Sequence, residues 1–273
     1  VNNGSNQTIL LNNSGTATIT QIYNATTTYD LVSIASNGTP SCSQPISGQV
    51  IITILPLPTV VISSNVTICP NDEATVTFTG TPNATVTYTV NSGSNQTILL
   101  DAAGIAAITQ IYTVTTTYSL VSIATAGTPG CIKPQNGTIT VTVLPLPIAS
   151  IASSTTICSG DSATVTFTGT PNATVSYTIG GVAQPDVTLS NAGTFTIPTG
   201  DLTVTATTSY TYALTSVESN PAPPALSCSD SITGESAVLT VNALPTATFL
   251  AVETSICEGT AATLNFTGTP DAI

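Results

Sequence analysis

Residues 75–88 read TVTFTGTPNATVTY, and the string TFTGTPNATV recurs at 166–175. Valine, phenylalanine and tyrosine alternate with threonine on either side of Gly80-Thr81-Pro82-Asn83. Alternation with period two puts apolar side chains on one face and hydroxyls on the other, which is the pattern of a half-buried strand. The Gly-Thr-Pro-Asn interruption is a turn signal. The same alternation runs through Thr138-Ile139-Thr140-Val141-Thr142-Val143, and no stretch shows the 3.6-residue period of a helix. The chain reads as all-β.

Working outward, the quoted stretch belongs to a long repeat. A partial third copy, NFTGTPDAI, occupies 265–273, GSNQTILL occurs at 4–11 and 93–100, and LPLP occurs at 55–58 and 144–147. Phe78, Phe167 and Phe266 fall 89 and 99 residues apart, and Cys69, Cys158 and Cys257 keep the same spacings. A fixed period of this size marks a tandem array. Residues 1–57 then form the back of one unit, 58–147 and 148–246 two complete units, and 247–273 the front of another. The third unit is longer and carries an insertion around Pro221-Ala222-Pro223-Pro224. A chain that starts and stops inside a unit is expected to be a window onto a longer fibre.

Composition narrows the function. The chain has no His, Met or Trp, and Lys133 is the single basic residue. General acid–base and nucleophilic catalysis lean on His, on a shifted Lys, or on a Cys with a cationic neighbour, so no enzyme is expected. One lysine cannot replace the counterions of a nucleic acid or bind an anionic membrane surface. Charged residues make up 5%, so Thr, Ser and Asn must supply the polar surface, and the net charge of −12 serves solubility. Apolar residues at 41% with so little charge do not match the composition of disorder. No apolar run approaches the ~20 residues of a membrane span. Lys133 precedes Pro134, which leaves trypsin-like proteases almost nothing to cut.

Seven or so short strands per ~90 residues, with Pro-containing joints between units, match tandem immunoglobulin-like β-sandwiches forming an elongated rod. Tyr29, Tyr118 and Tyr212 stand where such folds place a tyrosine corner, and read equally well as ordinary half-buried strand tyrosines. Six cysteines fit structural disulfides in an oxidising compartment, and hence an extracellular location. Cys69, Cys158 and Cys257 precede the second strand of their units, whereas Cys42, Cys131 and Cys228 lie in the loop after the sixth. Two pairings stay open. One joins the two cysteines of a unit, Cys69 to Cys131 and Cys158 to Cys228. In an immunoglobulin-like topology those positions lie at opposite ends of the domain, roughly 25 Å apart. The other pairing crosses the junctions: Cys69 to Cys228, Cys158 to the counterpart of Cys42 in the following unit, and Cys131 to the counterpart of Cys257 in the preceding one.

Other candidate sites are thin. Asp72, Glu73, Asp161 and Glu258 follow the first cysteines, but calcium wants more carboxylates than each turn offers, so they read as solvated turn acids. Asp186, Asp201 and Glu218 lack the aromatic platform of a sugar-cleaving site. No catalytic residue, metal ligand or cofactor is expected. Asp161-Ser162-Ala163 and Asp230-Ser231-Ile232 resemble the Asp-Ser/Thr-apolar motif that Bacteroidota O-glycosylate outside the cytoplasm, a resemblance that implies Ser162 and Ser231 as candidate O-glycosylation sites.

The combination I-C-x-[NG]-[DG]-x-A-T-V-T-F-T-G-T-P, T-T-T-Y-x-L-V-S-I, a Cys and V-T-V-L-P-L-P resembles the immunoglobulin-like and PKD-like repeats of very large Bacteroidota surface proteins. These include adhesins exported by type IX secretion, some linked to gliding motility. The resemblance covers essentially the whole chain. It implies export, a fibrous shape, a cell-surface or secreted location, and contact with neighbouring repeats or with a surface or glycan ligand through distal domains. The C-terminal sorting domain expected of such proteins is absent from this sequence. Two other functions fit the same residues: a ligand- or glycan-binding module, and the stalk of a secreted hydrolase.

Overall fold

The computed structural model describes all of the chain except residues 65, 153–154, 221–225, 253 and 272. The insertion at 221–224 lies outside the described residues. No helix occurs among those described, and hence none long and apolar enough to cross a membrane.

Strands β1 (Thr27–Ala35) and β2 (Ser43–Ile52) pair antiparallel as a two-stranded sheet. Then come β3 (Val60–Ser63), β4 (Thr67–Ile68), β5 (Asp72–Gly80), β6 (Thr85–Val90), β7 (Gln96–Leu99), β8 (Ile105–Tyr112), β9 (Thr116–Ala124), β10 (Ile132–Pro134) and β11 (Thr138–Val143). They form one sheet of order β3-β5-β8 and another of order β4-β11-β9-β6-β7, with β10 paired to β9. The next ten are β12 (Ala149–Ile151), β13 (Thr155–Cys158), β14 (Ser162–Gly169), β15 (Thr174–Ile179), β16 (Val182–Ala183), β17 (Val187–Thr188), β18 (Thr194–Asp201), β19 (Thr208–Glu218), β20 (Ser229–Ser231) and β21 (Ser236–Asn242). They repeat the plan as β12-β14-β18 and β13-β21-β19-β15-β16, with β17 on β15 and β20 on β19. Finally β22 (Ala247–Ala251) pairs with β23 (Leu264–Gly268).

Two sheets, antiparallel except where the divided leading strand joins the second, make an immunoglobulin-like sandwich. The division is visible in β3, which pairs with β5, and β4, which runs parallel to β11.

The chain divides into two compact units, one of Val1–Ser64, Val76–Ile108 and Thr117–Ile139, the other of Asn65–Thr75, Thr109–Thr116 and Thr140–Ile273. In the first, Val76, Phe78, Val86, Leu100 and Ile123 are fully buried, and the ring of Phe78 lies 5.1 Å from that of Tyr88. In the second, Phe167, Val175, Leu189, Val217, Leu239 and Val241 take the same part, and Phe167 lies 5.1 Å from Tyr177. The residues that alternate with them, such as Thr75, Thr77, Thr166 and Thr168, face outward to varying degrees, as period two requires. Tyr118 and Tyr212 lie within β9 and β19 and are buried, while the Tyr29 hydroxyl meets the side chains of Gln21 and Tyr23.

The outer pairs differ from the sandwiches. Leu31 and Ile34 on β1 are 60% and 47% exposed, whereas their counterparts Leu120 and Ile123 are buried. Phe266 on β23 is 73% exposed.

Candidate functional site

No group of acids or thiols that could hold a metal occurs among the described residues. The features that recur at fixed places in every repeat are three backbone devices near the Leu-Pro joints.

The first is the turn that bears Cys69, Cys158 or Cys257. The Asp72 carboxylate accepts the Cys69 amide N–H at 3.1 Å, and the Asp72 N–H donates to the Cys69 carbonyl at 3.2 Å. Asp161 does the same for Cys158 at 3.3 and 3.1 Å. In the third copy the Thr260 N–H and hydroxyl both donate to the Cys257 carbonyl. The turn requires a positive φ one residue earlier, supplied by Asn71, Gly160 and Gly259. Asp72 and Asp161 are therefore turn acids, each satisfied by backbone. Position matters as much as shape. The Leu144 N–H donates to the Ile68 carbonyl at 2.9 Å, and the Ser159 N–H to the Asn242 carbonyl at 2.8 Å. Cys69 and Cys158 thus leave their sheets beside the end of the repeat's last strand, where the Leu-Pro joint begins.

The second device carries Cys42, Cys131 or Cys228. The Cys42 N–H donates to Ser36 Oγ at 2.9 Å, and the Ser36 N–H to the Cys42 carbonyl at 2.7 Å. Thr125 clasps Cys131 at 2.9 and 3.0 Å, and Ser219 clasps Cys228 at 2.8 Å in both bonds. This loop precedes the last strand, so the loop cysteine and the leading cysteine of one repeat stand at opposite ends of that strand. For Cys158 and Cys228 the length of β21 alone sets them about 20 Å apart, which rules out the bond within a repeat.

The structure joins Cys69 to Cys228, with Cα atoms 5.6 Å apart and 159 residues between them in sequence. Of the two pairings left open by the sequence, this is the one that crosses a junction. Cys228 is 1% exposed, and Cys69 is half-buried. Cys42, Cys158 and Cys257 are exposed free thiols, and Cys131 is a half-buried one.

In the sequence the third device shows only as a turn. The residue after each Leu-Pro joint is gripped at two points by the threonine of Gly-Thr-Pro. The Thr59 N–H donates to Thr81 Oγ at 3.0 Å while the Thr81 N–H donates to the Thr59 carbonyl at 2.9 Å. Ile148 with Thr170, and Thr246 with Thr269, repeat both bonds. The preceding glycine is obligatory: a Cβ on Gly80, Gly169 or Gly268 would collide with the carbonyl oxygen of that same gripped residue. The signal in the sequence is the near-constant distance from Leu-Pro to Gly-Thr, the gripped residue and its threonine lying 22 residues apart in two copies and 23 in the third.

The remaining predicted positions are dispersed. Ser162 opens β14 and Ser231 closes β20, both exposed. The Glu218 carboxylate accepts the Ser227 hydroxyl at 2.8 Å. Burial raises the phenol pKa of Tyr88 and of Tyr177 above 10.0, and that of Tyr212 is raised first by burial, then by Tyr177 and Tyr210.

No protein-family model matches the chain, and no curated protein matches it. Its likenesses lie among solved structures. An I-band fragment from titin superposes with 15% identity and a TM-score of 0.43, over 80% of this chain and 77% of that one. A marsupial T cell receptor gives 10% and 0.39, over 71% and 77%. Fibronectin(III)-like modules of Clostridium thermocellum CbhA give 16% and 0.26, over 68% and 95%. The chain's own sheet orders establish its fold: immunoglobulin-like β-sandwiches.

Proposed function

We propose that the chain is a non-catalytic structural segment, part of the shaft of an extracellular fibre or large surface adhesin that holds binding modules away from the cell. The observation that carries this is the Cys69–Cys228 bond, which ties the turn before β5 to the connection before β20 across a Leu-Pro joint. A binding or catalytic module needs convergent side chains in a cleft, whereas the repeating features here are backbone clamps at joints. The Thr81 and Thr170 grips fix the first residue of each complete repeat to its own sandwich, which removes freedom from the joint. A surface of Thr, Ser and Asn with one basic residue suits exposure to changing salt, pH and proteases. The partners in this proposal are neighbouring repeats or identical fibre subunits, with any surface or glycan ligand met by other domains. The export route is that of the Bacteroidota surface proteins whose repeats the sequence resembles.

Electron microscopy of the native material with and without reductant tests the proposal. Thin stiff rods that slacken on reduction are expected. Compact separate particles in oxidising buffer would overturn it in favour of a modular binding protein.

A further inference from the structure

The six cysteines occupy two recurring settings, and the observed bond uses one of each. Cys69, in the leading turn of one repeat, meets Cys228, in the loop of the next. Cys158 and Cys257 are held in the same turn as Cys69, and Cys42 and Cys131 in the same serine or threonine clasp as Cys228. Applying one rule to all six, leading turn to the loop of the following repeat, Cys69–Cys228 is the single pair whose two members both lie in this sequence. It is the bond the structure contains, and the other four thiols are free.

We propose that Cys69–Cys228 is one rung of a disulfide ladder. In it Cys158 and Cys257 are oxidised onto the loop cysteine of a following repeat of this type, and Cys42 and Cys131 onto the leading cysteine of a preceding one. The partner is thus a thiol in a serine- or threonine-clasped loop like that of Cys228, or in a turn like that of Cys69. Each rung forms when two thiols lose two protons and two electrons to a disulfide donor, such as oxidised glutathione or a dithiol oxidoreductase, which is reduced to thiols as the Sγ–Sγ bond closes. The exposure of Cys158 and Cys257 leaves them open to the next repeat. The geometry argues against the competing bond within a repeat, since β21 separates Cys158 from Cys228.

The inference deepens the proposed shaft but is read by a different measurement. The full chain is prepared with residues 148–246 duplicated in tandem and the second copy marked by Ser162→Thr and Ser231→Thr near its two cysteines, refolded with oxidised and reduced glutathione, alkylated, and mapped by mass spectrometry after peptic digestion. The first copy's Cys158 is expected in disulfide linkage with the second copy's Cys228, while alkylation stays confined to Cys42, Cys131, the second copy's Cys158 and Cys257. Cys158→Ser in the first copy should then expose one further thiol, on the second copy's Cys228. The Cys69–Cys228 bond, formed in the same molecules, reports that the repeats have folded. With that bond present, a second-copy Cys228 linked to its own repeat's Cys158, or left as a thiol, overturns the ladder. Either result leaves the rod visible or absent in micrographs as before, so the two proposals fail separately.

Discussion

Replacing one phenylalanine in each of its three copies tests the fold with an internal control. Phe78 and Phe167 are 0% exposed, while Phe266 is 73% exposed. Truncating a buried Phe to Ala costs about 3–5 kcal/mol. The structure supports the upper half of that range: burial of roughly 150–200 Å² at ~25 cal/mol per Å² gives about 4–5 kcal/mol. The ring contacts to Tyr88 and Tyr177, each at 5.1 Å, account for about 0.5–1.5 kcal/mol beyond burial. Phe266 meets Phe249 at 6.1 Å with most of its surface in solvent, so Phe266→Ala should cost less than about 1 kcal/mol. Urea unfolding followed by tyrosine fluorescence suits a chain with eight Tyr and no Trp, and Tyr88 and Tyr177 report from beside the altered rings. With a slope of about 2 kcal/mol per M, Phe78→Ala and Phe167→Ala should each lower one unfolding midpoint by about 2 M. Equal shifts for all three variants, or a Phe167→Ala midpoint within about 0.5 M of the unaltered chain, would refute the assignment of these cores.

Three further outcomes follow from the joints and the core. Reducing the Cys69–Cys228 bond opens a loop of 159 residues, which the chain-entropy relation values at about 5 kcal/mol, so dithiothreitol should lower the midpoint of the transition that includes β13–β21; an unchanged midpoint would count against a preformed junction. Thr170→Val keeps the shape of the grip on Ile148 but removes its acceptor oxygen, and should cost about 1 kcal/mol and speed amide exchange at Ile148, with unaltered exchange as the contrary result. The phenols of Tyr88, Tyr177 and Tyr212 are raised above 10.0 in the fold, so the stability they contribute is complete below that pH and is lost as pH rises through the folded values; urea midpoints should fall above about pH 10, and a flat profile there would contradict their burial.

The strands and the two-sheet plan were legible because alternation is a local signal. Thr-Val-Thr-Phe announces both the buried and the solvated face of β5 and β14, and recurrence at a fixed period shows where the plan restarts. The junction-crossing pair was one of two readings in the sequence, since strand direction places the cysteines of one repeat at opposite ends. What decided it, the parallel course of β4 beside β11 and of β13 beside β21, rests on segments of two and four residues, too short for any periodicity to reveal. The Thr81 and Thr170 grips were hidden for another reason. Each pairs residues 22 apart in sequence, and a Gly-Thr-Pro string looks the same whether it merely turns or also clamps. The local pattern around Phe266 and Leu31 is that of buried Phe78 and Leu120, but β23 and β1 each pair with a single strand, in keeping with the partial units read at 1–57 and 247–273.

The disulfide also governs how the chain responds to tension. Pulled from its two ends, an unfolding polypeptide pays out every residue between the handles, and the 159 steps from Cys69 to Cys228 would release about 550 Å of contour. With the bond in place the load passes from Cys69 to Cys228 across Cα atoms 5.6 Å apart, and that length stays locked away. In the proposed ladder each closed stretch begins before the previous one ends, since Cys158 precedes Cys228. A fibre laced in this way could lose its sandwiches to force and still hardly lengthen, behaving as a cable whose strength is set by sulfur–sulfur bonds and whose slack is released only by reduction.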